Sequence, residues 1–316
     1  MSTVAATPRV MAVVVSYAPE PQRWQQLMAA LRPQVDGVIV VDNGTELVAL
    51  QALMRGQPEE VFWLGLPENR GVASAQNLGI RLALQQGADY VLLMDHDSVP
   101  APGMVDQLLQ VAQARQLEGY QVAAVGPCYL DQRQDNPPPF VRSRGGRLQR
   151  QRRCGGETSV EVDYLISSGS LLPRAALEAV GLMREGLFID YVDIEWGWRA
   201  AAQGYLSFGA WEARMDHALG DQAVRFMKWR FPARSADRYY YMYRNAVVLL
   251  RHPQVPARWK VVEAYRLVLR AGFWLLFTPG RAANLAAITQ GLADGWAGRT
   301  GPRPSDRKTD RATISE

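Results

Sequence analysis

The stretch Tyr90-Val91-Leu92-Leu93-Met94-Asp95-His96-Asp97 is a short apolar run that ends in two carboxylates separated by one residue. Gly87 bounds it upstream, and Pro100 and Pro102 follow it. So short a run reads as a buried parallel strand, not a helix. In open α/β sheets, ligands bind just beyond the carboxyl ends of such strands. Asp95 and Asp97 would sit there and, two residues apart on a continuing strand, point to one side. Hard oxygen donors of this kind suit Mg²⁺ or Mn²⁺, ions that commonly accompany diphosphates. A solvated turn or a helix cap is the plainer alternative for an isolated Asp-x-Asp, and the strand-end position favours the metal.

Upstream, the chain alternates. Arg9 to Tyr17 reads as a first strand closed by Pro19 and Pro21, and Trp24, Leu27, Met28 and Leu31 recur at helical spacing. Gly37 to Val41 is a second buried strand, ending in Asp42, Asn43 and Gly44. Leu47 to Met54 supplies a helix and Val61 to Leu64 a third strand. This order predicts an α/β fold with a mostly parallel, Rossmann-like sheet flanked by helices. Asn69-Arg70-Gly71 then opens a helix whose apolar face, Val72, Ala75, Gly79, Leu82 and Ala83, is made mainly of small residues. Free N–H groups, a glycine and a guanidinium at a helix start suit an anion, and a simple cap with a surface arginine is the alternative. No Walker or Gly-x-Gly-x-x-Gly fingerprint occurs, which argues against a P-loop NTPase or a dinucleotide oxidoreductase.

Downstream, Pro102 to Gln116 reads as helix and Val122 to Pro127 as strand. Asp131 to Glu157 lacks periodicity and carries Arg142, Arg144, Arg147, Arg150, Arg152 and Arg153, a long loop of the functional or disordered kind. Val160 to Ile166 returns to strand, followed by Ser167-Ser168-Gly169-Ser170 and a helix from Ala175 to Val180. Asp190, Asp193 and Glu195 lie close to Tyr191, Trp196 and Trp198. Asp190 and Asp193 share a helix face or line an entry turn, or Asp190 caps the helix. Tyr205 to Trp211 is a last strand, before Asp216 and His217. Met227 to Leu250, Arg258 to Phe277 and Arg281 to Trp296 read as a C-terminal helical region mixing aromatics with arginines. Such a mix suits a lipid headgroup layer, a second subunit of a homodimer, or a helical core with a basic outer face.

With 48% hydrophobic and 21% charged residues the chain is globular in composition, and its net charge of +4 gathers in blocks. Two cysteines exclude a disulfide framework or a zinc site. No signal peptide is read at the N-terminus, and Arg270 interrupts the most apolar late segment, so the expected place is the cytoplasm, peripheral on the inner face of the cytoplasmic membrane. The sequence offers no nucleic-acid recognition module.

In order, these segments resemble the inverting nucleotide-sugar glycosyltransferases of family 2, with the GT-A fold, and most closely their bacterial rhamnosyltransferase branch. The likeness spans about Val10 to Arg299. It implies a nucleotide-sugar-binding and catalytic domain over 1–220 and a helical region over 221–298, and the Pro, Gly, Ser and charged residues of 299–316 read as a disordered tail. It implies that Tyr17 and Pro19 border the nucleotide base, that Asp42 receives a base N–H, and that Asn69, Arg70, Gly71 and Asn77 border the nucleotide-sugar. Asp95-His96-Asp97 takes the place of the family's Asp-x-Asp, with Asp97 on the metal and Asp95 near the ribose. Ser168 and Gly169 resemble the acceptor-side turn, with Asp190 and Trp196 beyond it, and His217 stands where many such enzymes place a metal ligand. Asp193 occupies the position of the catalytic base, but Val192 replaces the Glu that precedes it in the family. The support that Glu would give falls to Asp190 or Glu195. The implied donor is dTDP-β-L-rhamnose, the metal Mg²⁺ or Mn²⁺, and the acceptor a bacterial surface glycan or lipid-linked sugar. A UDP-hexose donor and a catalytically inactive nucleotide-sugar-binding protein are the alternatives.

Overall fold

A computed structural model describes residues 7–54, 60–130, 140–144, 147–153, 155–217, 222–226, 229–233, 235–277 and 280–304. The apolar runs become strands β1 (Val10–Ser16), β2 (Gly37–Asp42), β3 (Val61–Gly65) and β4 (Tyr90–Asp95). Between them lie helices α1 (Pro21–Leu31), α2 (Leu47–Met54) and α3 (Val72–Gln85). β5 (Ser98–Pro100), α4 (Met104–Leu117), β6 (Val122–Leu130), β7 (Val141–Arg144), β8 (Arg147–Arg150), β9 (Ser159–Val162) and β10 (Leu171–Pro173) follow. The chain continues through α5 (Arg174–Val180), a 3₁₀ turn Glu185–Leu187, α6 (Val192–Ala201) and β11 (Leu206–His217). It ends with β12 (Gln222–Phe226), β13 (Trp229–Ala233), α7 (Ala236–Arg251), α8 (Ala257–Phe277) and α9 (Arg281–Trp296).

The main sheet runs β3-β2-β1-β4-β10-β6-β11-β5, with β9 also paired to β11. β3, β2, β1 and β4 are mutually parallel, as are β6 and β11, while β10, β5 and β9 are antiparallel to their neighbours. The strand order reverses at β1, which has β2 on one side and β4 on the other. That reversal opens a crevice at the carboxyl ends, where ligands bind in such sheets. The register brings Ser16 beside Asp42 and Val15 beside Asp95 at this edge.

Alternation along the strands divides the core. Val10, Ala12 and Val14 face α1 and α4, while Met11, Val13 and Val15 face α3 and the C-terminal helices. Tyr239, Tyr243 and Trp259 belong to the same buried cluster as β1, so the helical region shares a core with the sheet. Helix α3 approaches β1 closely because Gly79 has no side chain: a Cβ there would lie 2.3 Å from Val13 Cγ1. The face that packs is Ala75, Gly79, Ile80 and Ala83, with Val72 and Leu82 only partly buried.

Several sequence expectations need correction. Part of the stretch read as a loop forms the hairpin β7–β8, with Arg142 paired to Glu161 at 2.6 Å and Arg153 to Glu212 at 2.5 Å. The segment read as helix from Met227 instead holds β13, paired with β12, and helix begins only at Ala236. The tail is not free over 299–304: Gly301 N–H donates to the Gly186 carbonyl at 2.7 Å, and Arg303 binds Gln290 and Asp237. Residues 305–316 lie outside the described residues.

Gly79→Ala should lower stability by about 1–3 kcal/mol in urea unfolding, because overpacking outweighs the better helix propensity of alanine. Adding Val13→Ala in the same chain should recover part of that loss. Two additive costs would refute the contact.

Candidate functional site

At the end of β4, Asp95, His96 and Asp97 are partly buried. Asp95 N–H donates to Ser168 Oγ at 3.1 Å, and Ser168 Oγ donates to Ser98 Oγ at 2.8 Å. Arg23 Nε donates to the Asp97 carbonyl at 3.0 Å and its guanidinium lies 3.5 Å from Asp216. The Asp95 carboxyl is pushed up to about 6, first by burial and then by Asp97, against the opposing pull of His96 and Arg238. Among the described residues no group of three or more metal-binding side chains gathers into a cage. The side chain of His217 lies outside the described residues, and its main chain pairs with Ser98.

The ends of β1 and β2 form the next wall. Asp42 is fully buried and its carboxylate is engaged by protein. It accepts from Ser16 Oγ at 2.9 Å, Thr45 Oγ1 at 2.5 Å and Thr45 N–H at 2.8 Å. Thr45 Oγ1 accepts in turn from Ala18 N–H at 2.8 Å. The structure therefore gives Asp42 a hold on this loop through three accepted hydrogen bonds. Beside the loop, Pro19, Ala18, Thr45 and Trp24 line a cavity of about 190 Å³, and Tyr17 is exposed nearby.

The Asn69-Arg70-Gly71 turn also spends its donors internally. Asn43 Nδ2 donates to Asn69 Oδ1 at 3.0 Å, Arg70 N–H to Asn43 Oδ1 at 2.9 Å, and Gly71 N–H to Asn69 Oδ1 at 3.0 Å. A Cβ at Gly71 would meet the Phe188 carbonyl at 2.6 Å, so the turn packs against the loop before α6. Two N–H groups of the expected anion cradle, those of Arg70 and Gly71, are thus already bonded, and Arg70 is exposed. Asn77 does not reach the crevice: it is buried, donating to the Met183 carbonyl and Glu185 and accepting from Met183 N–H.

The acceptor-side expectations divide similarly. Ser168 is buried under the β4 end, and Gly169, at φ +82, lies where a Cβ would be 2.5 Å from Pro127 Cγ. Trp196 is buried in the core and its Nε1 donates to the Gly181 carbonyl at 2.8 Å. Trp198 and Tyr191 are buried too. Glu195 faces away, bonded to Arg199 at 3.1 and 3.2 Å, and does not support Asp193.

Asp193 enters from the first turn of α6, after a strained approach. Phe188, Asp190 and Tyr191 have φ of 63°, 64° and 63°, conformations that L residues hold only when their surroundings compel it. Helix α7 compels it here. Asn245, fully buried, directs Nδ2 at the carbonyls of Leu187, Ile189 and Asp190 at 2.8, 2.8 and 2.9 Å. Arg244 Nη2 donates to the Gly186 and Leu187 carbonyls at 3.1 and 2.8 Å. Arg238 grips the Asp190 carboxylate with two bonds of 2.9 and 3.0 Å, so Asp190 is an ion-pair partner and not a helix cap. The Asp193 carboxyl is pushed up to about 6, mainly by burial, with Asp190 and Asp95 adding to the rise and N–H bonding opposing it. The Asp95 charge is thus near enough to Asp193 to add to that rise. Arg238 and Asn245 went unnoticed in the sequence; seven residues apart, they put polar groups on one stripe of a largely buried helix.

A family model described as glycosyl transferase family 2 matches residues 12–180. The chain belongs to that family. This family 2 glycosyltransferase is 33% identical to the dTDP-rhamnosyl transferase RfbF of Shigella flexneri over 78% of its own length and 81% of that protein. It is 30% identical to the galactofuranosyltransferase GlfT1 of Mycobacterium tuberculosis over 78% of its length and 84% of that protein. Among solved structures it is similar to S. aureus TarS 1-349 in complex with UDP-GlcNAc, at a TM-score of 0.54 and 14% identity over 91% of this chain and 80% of that one. It is also similar to GalNAc-T7 with UDP, GalNAc and Mn²⁺, at a TM-score of 0.55 and 13% identity, covering 77% of this chain and 48% of that longer one. The fold of this glycosyltransferase is GT-A, as the sequence resemblance implied.

The raised Asp193 carboxyl yields a two-sided expectation for Asp193→Asn. Above about pH 6 the native carboxylate is ionised against its preference, whereas below its ordinary value of 3.8 both folded and unfolded forms are protonated. The variant should therefore be more stable than the parent at pH 8, by at most roughly 3 kcal/mol, with the gain vanishing near pH 3.5. Urea unfolding at both pH values checks this, and a variant less stable at pH 8 contradicts it.

Proposed function

We propose that the protein is an inverting glycosyltransferase that moves L-rhamnose from dTDP-β-L-rhamnose to a hydroxyl of a bacterial surface glycan or lipid-linked acceptor. The reading rests on Asp193, whose carboxyl is pushed up to about 6 mainly by burial, with the charge of the strand-end Asp95 adding to the rise. A carboxylate tuned toward neutrality is what a general base working near pH 7 requires. Asp193 takes the acceptor hydroxyl proton as that oxygen attacks the anomeric carbon. The bond from that carbon to the diphosphate oxygen breaks, and the configuration inverts.

The leaving diphosphate gathers negative charge that must be met by fixed positive groups. Asp95 and Asp97 fit a divalent cation: they are hard oxygen donors at a strand end, and Asp97 helps lift the Asp95 carboxyl. Mg²⁺ or Mn²⁺, which is often held by one or two carboxylates with substrate phosphates completing the shell, would supply the charge neutralisation there. Arg70 is exposed beside the crevice, where its guanidinium can reach a phosphate. Tyr17 and the cavity around Pro19 border the base, in a loop whose shape Asp42 and Thr45 hold.

The identity of 33% to a dTDP-rhamnosyl transferase supports rhamnose. The galactofuranosyltransferase relatives at 30% support a second reading, a different donor sugar, with UDP-hexoses the candidates. Against an inactive binding protein stands Asp193 in the first turn of α6, directly after a segment held in costly geometry, with Val192 simply buried in the core.

Calorimetric titration with dTDP, UDP, GDP and ADP, with Mg²⁺ or Mn²⁺ and then EDTA, tests the donor half. The expected result is metal-assisted dTDP binding that Asp97→Ala weakens by at least about tenfold and Asp193→Asn leaves within about twofold, while Asp193→Asn lowers turnover by about 10²–10⁴. Turnover of the parent should fall as pH drops through about 6, because Asp193 must be ionised to act. Absence of any nucleoside diphosphate binding would sink the reading.

A further inference from the structure

Helix α8 has two unlike faces. Trp259, Glu263, Leu267 and Trp274 are buried against the rest of the protein. Val261, Tyr265, Val268, Leu269 and Leu276 recur at steps of three, four and seven, which puts them on the opposite face. These side chains are from 54% to 72% exposed, too large and too continuous a stripe to be scattered surface apolar residues. Gly272, in the middle of the stripe, has open space around it. The helix has 21 residues, and no helix among the described residues is long and apolar enough to cross a membrane.

The charge around the stripe selects its occupant. From 257 to 304 the only acids are Glu263 and Asp294. Both are buried, and each is bonded to arginine: Glu263 to Arg270 at 2.8 Å and Asp294 to Arg299 at 2.6 Å. The exposed surface of α8 and α9 therefore presents no carboxylate. Arg258 stands exposed at the start of the stripe and Arg281 exposed beyond its end. An isologous dimer through this face would set like charges against one another with no acid to pair them. An anionic lipid surface accepts both features, apolar side chains below the headgroups and arginines among them.

We infer that the outer face of α8 docks on an anionic lipid bilayer. The inference rests on the acceptor reading above, which it deepens by setting the transfer reaction at a membrane surface. The inner face of the same helix touches the site: Glu263 accepts from Tyr191 Oη at 2.6 Å, two residues before Asp193. Docking α8 therefore fixes the height of the acceptor side of the crevice above the headgroups, where a lipid-linked sugar would present its hydroxyl.

The test is co-sedimentation of the full chain with vesicles of phosphatidylcholine alone or mixed with phosphatidylglycerol, at low and high salt. Sedimentation velocity without lipid is run in parallel. The expected result is binding to the mixed vesicles only, weakened by salt. Arg258→Glu with Arg281→Glu should weaken it by at least about 25-fold, at about fivefold per basic residue. Val268→Glu with Leu276→Glu, exposed positions that leave the fold intact by circular dichroism, should abolish it. Four outcomes overturn the inference: no vesicle binding, equal binding to both vesicle types, unchanged binding of the Val268→Glu/Leu276→Glu chain, or a dimer that this variant converts to monomer. dTDP calorimetry on the same preparations reads the donor site separately, so failure here is not failure of the transferase reading.

Discussion

The site depends on one amide. Asn245 Nδ2 carries two hydrogens and is within bonding distance of three carbonyls, those of Leu187, Ile189 and Asp190. Those carbonyls converge because Phe188, Asp190 and Tyr191 turn through the left-handed region. Three such residues cost of order 1–3 kcal/mol each, and buried carbonyls left unpaired would add a comparable penalty. Asn245, Arg244 and the Arg238–Asp190 pair offset that strain from a single helix, so the acceptor half of the crevice is only as rigid as α7. The helix is itself anchored: Tyr240 donates to Asp294 of α9 at 2.8 Å, Tyr243 to the Leu267 carbonyl of α8 at 2.9 Å, and Arg244 reaches Gly301. The C-terminal third of the chain thus braces the segment that leads into Asp193, and a truncation before α7 would leave that segment without its partners.

Electrostatics then divides the acids among tasks. Asp42 and Glu195 are buried and bonded to protein. Asp190 is neutralised by Arg238. Among the described acids, Asp95 and Asp193 have carboxyls lifted to about 6, because burial strips their water and like charges stand near. Groups pushed away from their ordinary ionisation in a cleft mark sites of chemistry more often than of stability. Their repulsion is also relieved by the ligands proposed here: cationic charge beside Asp95 and Asp97, and a proton accepted by Asp193.

How far the sequence could be read follows from how far apart the interacting residues lie. Strands β1 to β4 were legible as uninterrupted apolar runs, and their parallel direction follows from their alternation with helices, whereas the reversal of strand order at β1 is seen only in the fold. β10 escaped because three residues ending in Pro173 carry no period, although it joins the two parallel parts of the sheet. β13 was hidden in Trp229-Arg230-Phe231-Pro232-Ala233, whose aromatics equally suit a helix. Asp193 and the Asp95–Asp97 pair could be named from resemblance and strand position. What could not be read was satisfaction: Asn77, Ser168 and the Asn69–Gly71 turn carry the right groups but spend them on protein partners. The α7 clamp was equally hidden, since Arg238 and Asn245 meet their partners 48 and 58 residues away.

The central claim is that α7 positions Asp193 without touching the donor. The most direct measurement is Asn245→Ala, with turnover and nucleoside diphosphate affinity determined on the same folded preparation. Misplacing the base by about 1 Å predicts a fall in kcat of roughly 10²-fold with donor Kd held within about twofold. Unchanged kcat in a folded variant, or donor affinity lost in step with kcat, would contradict the account.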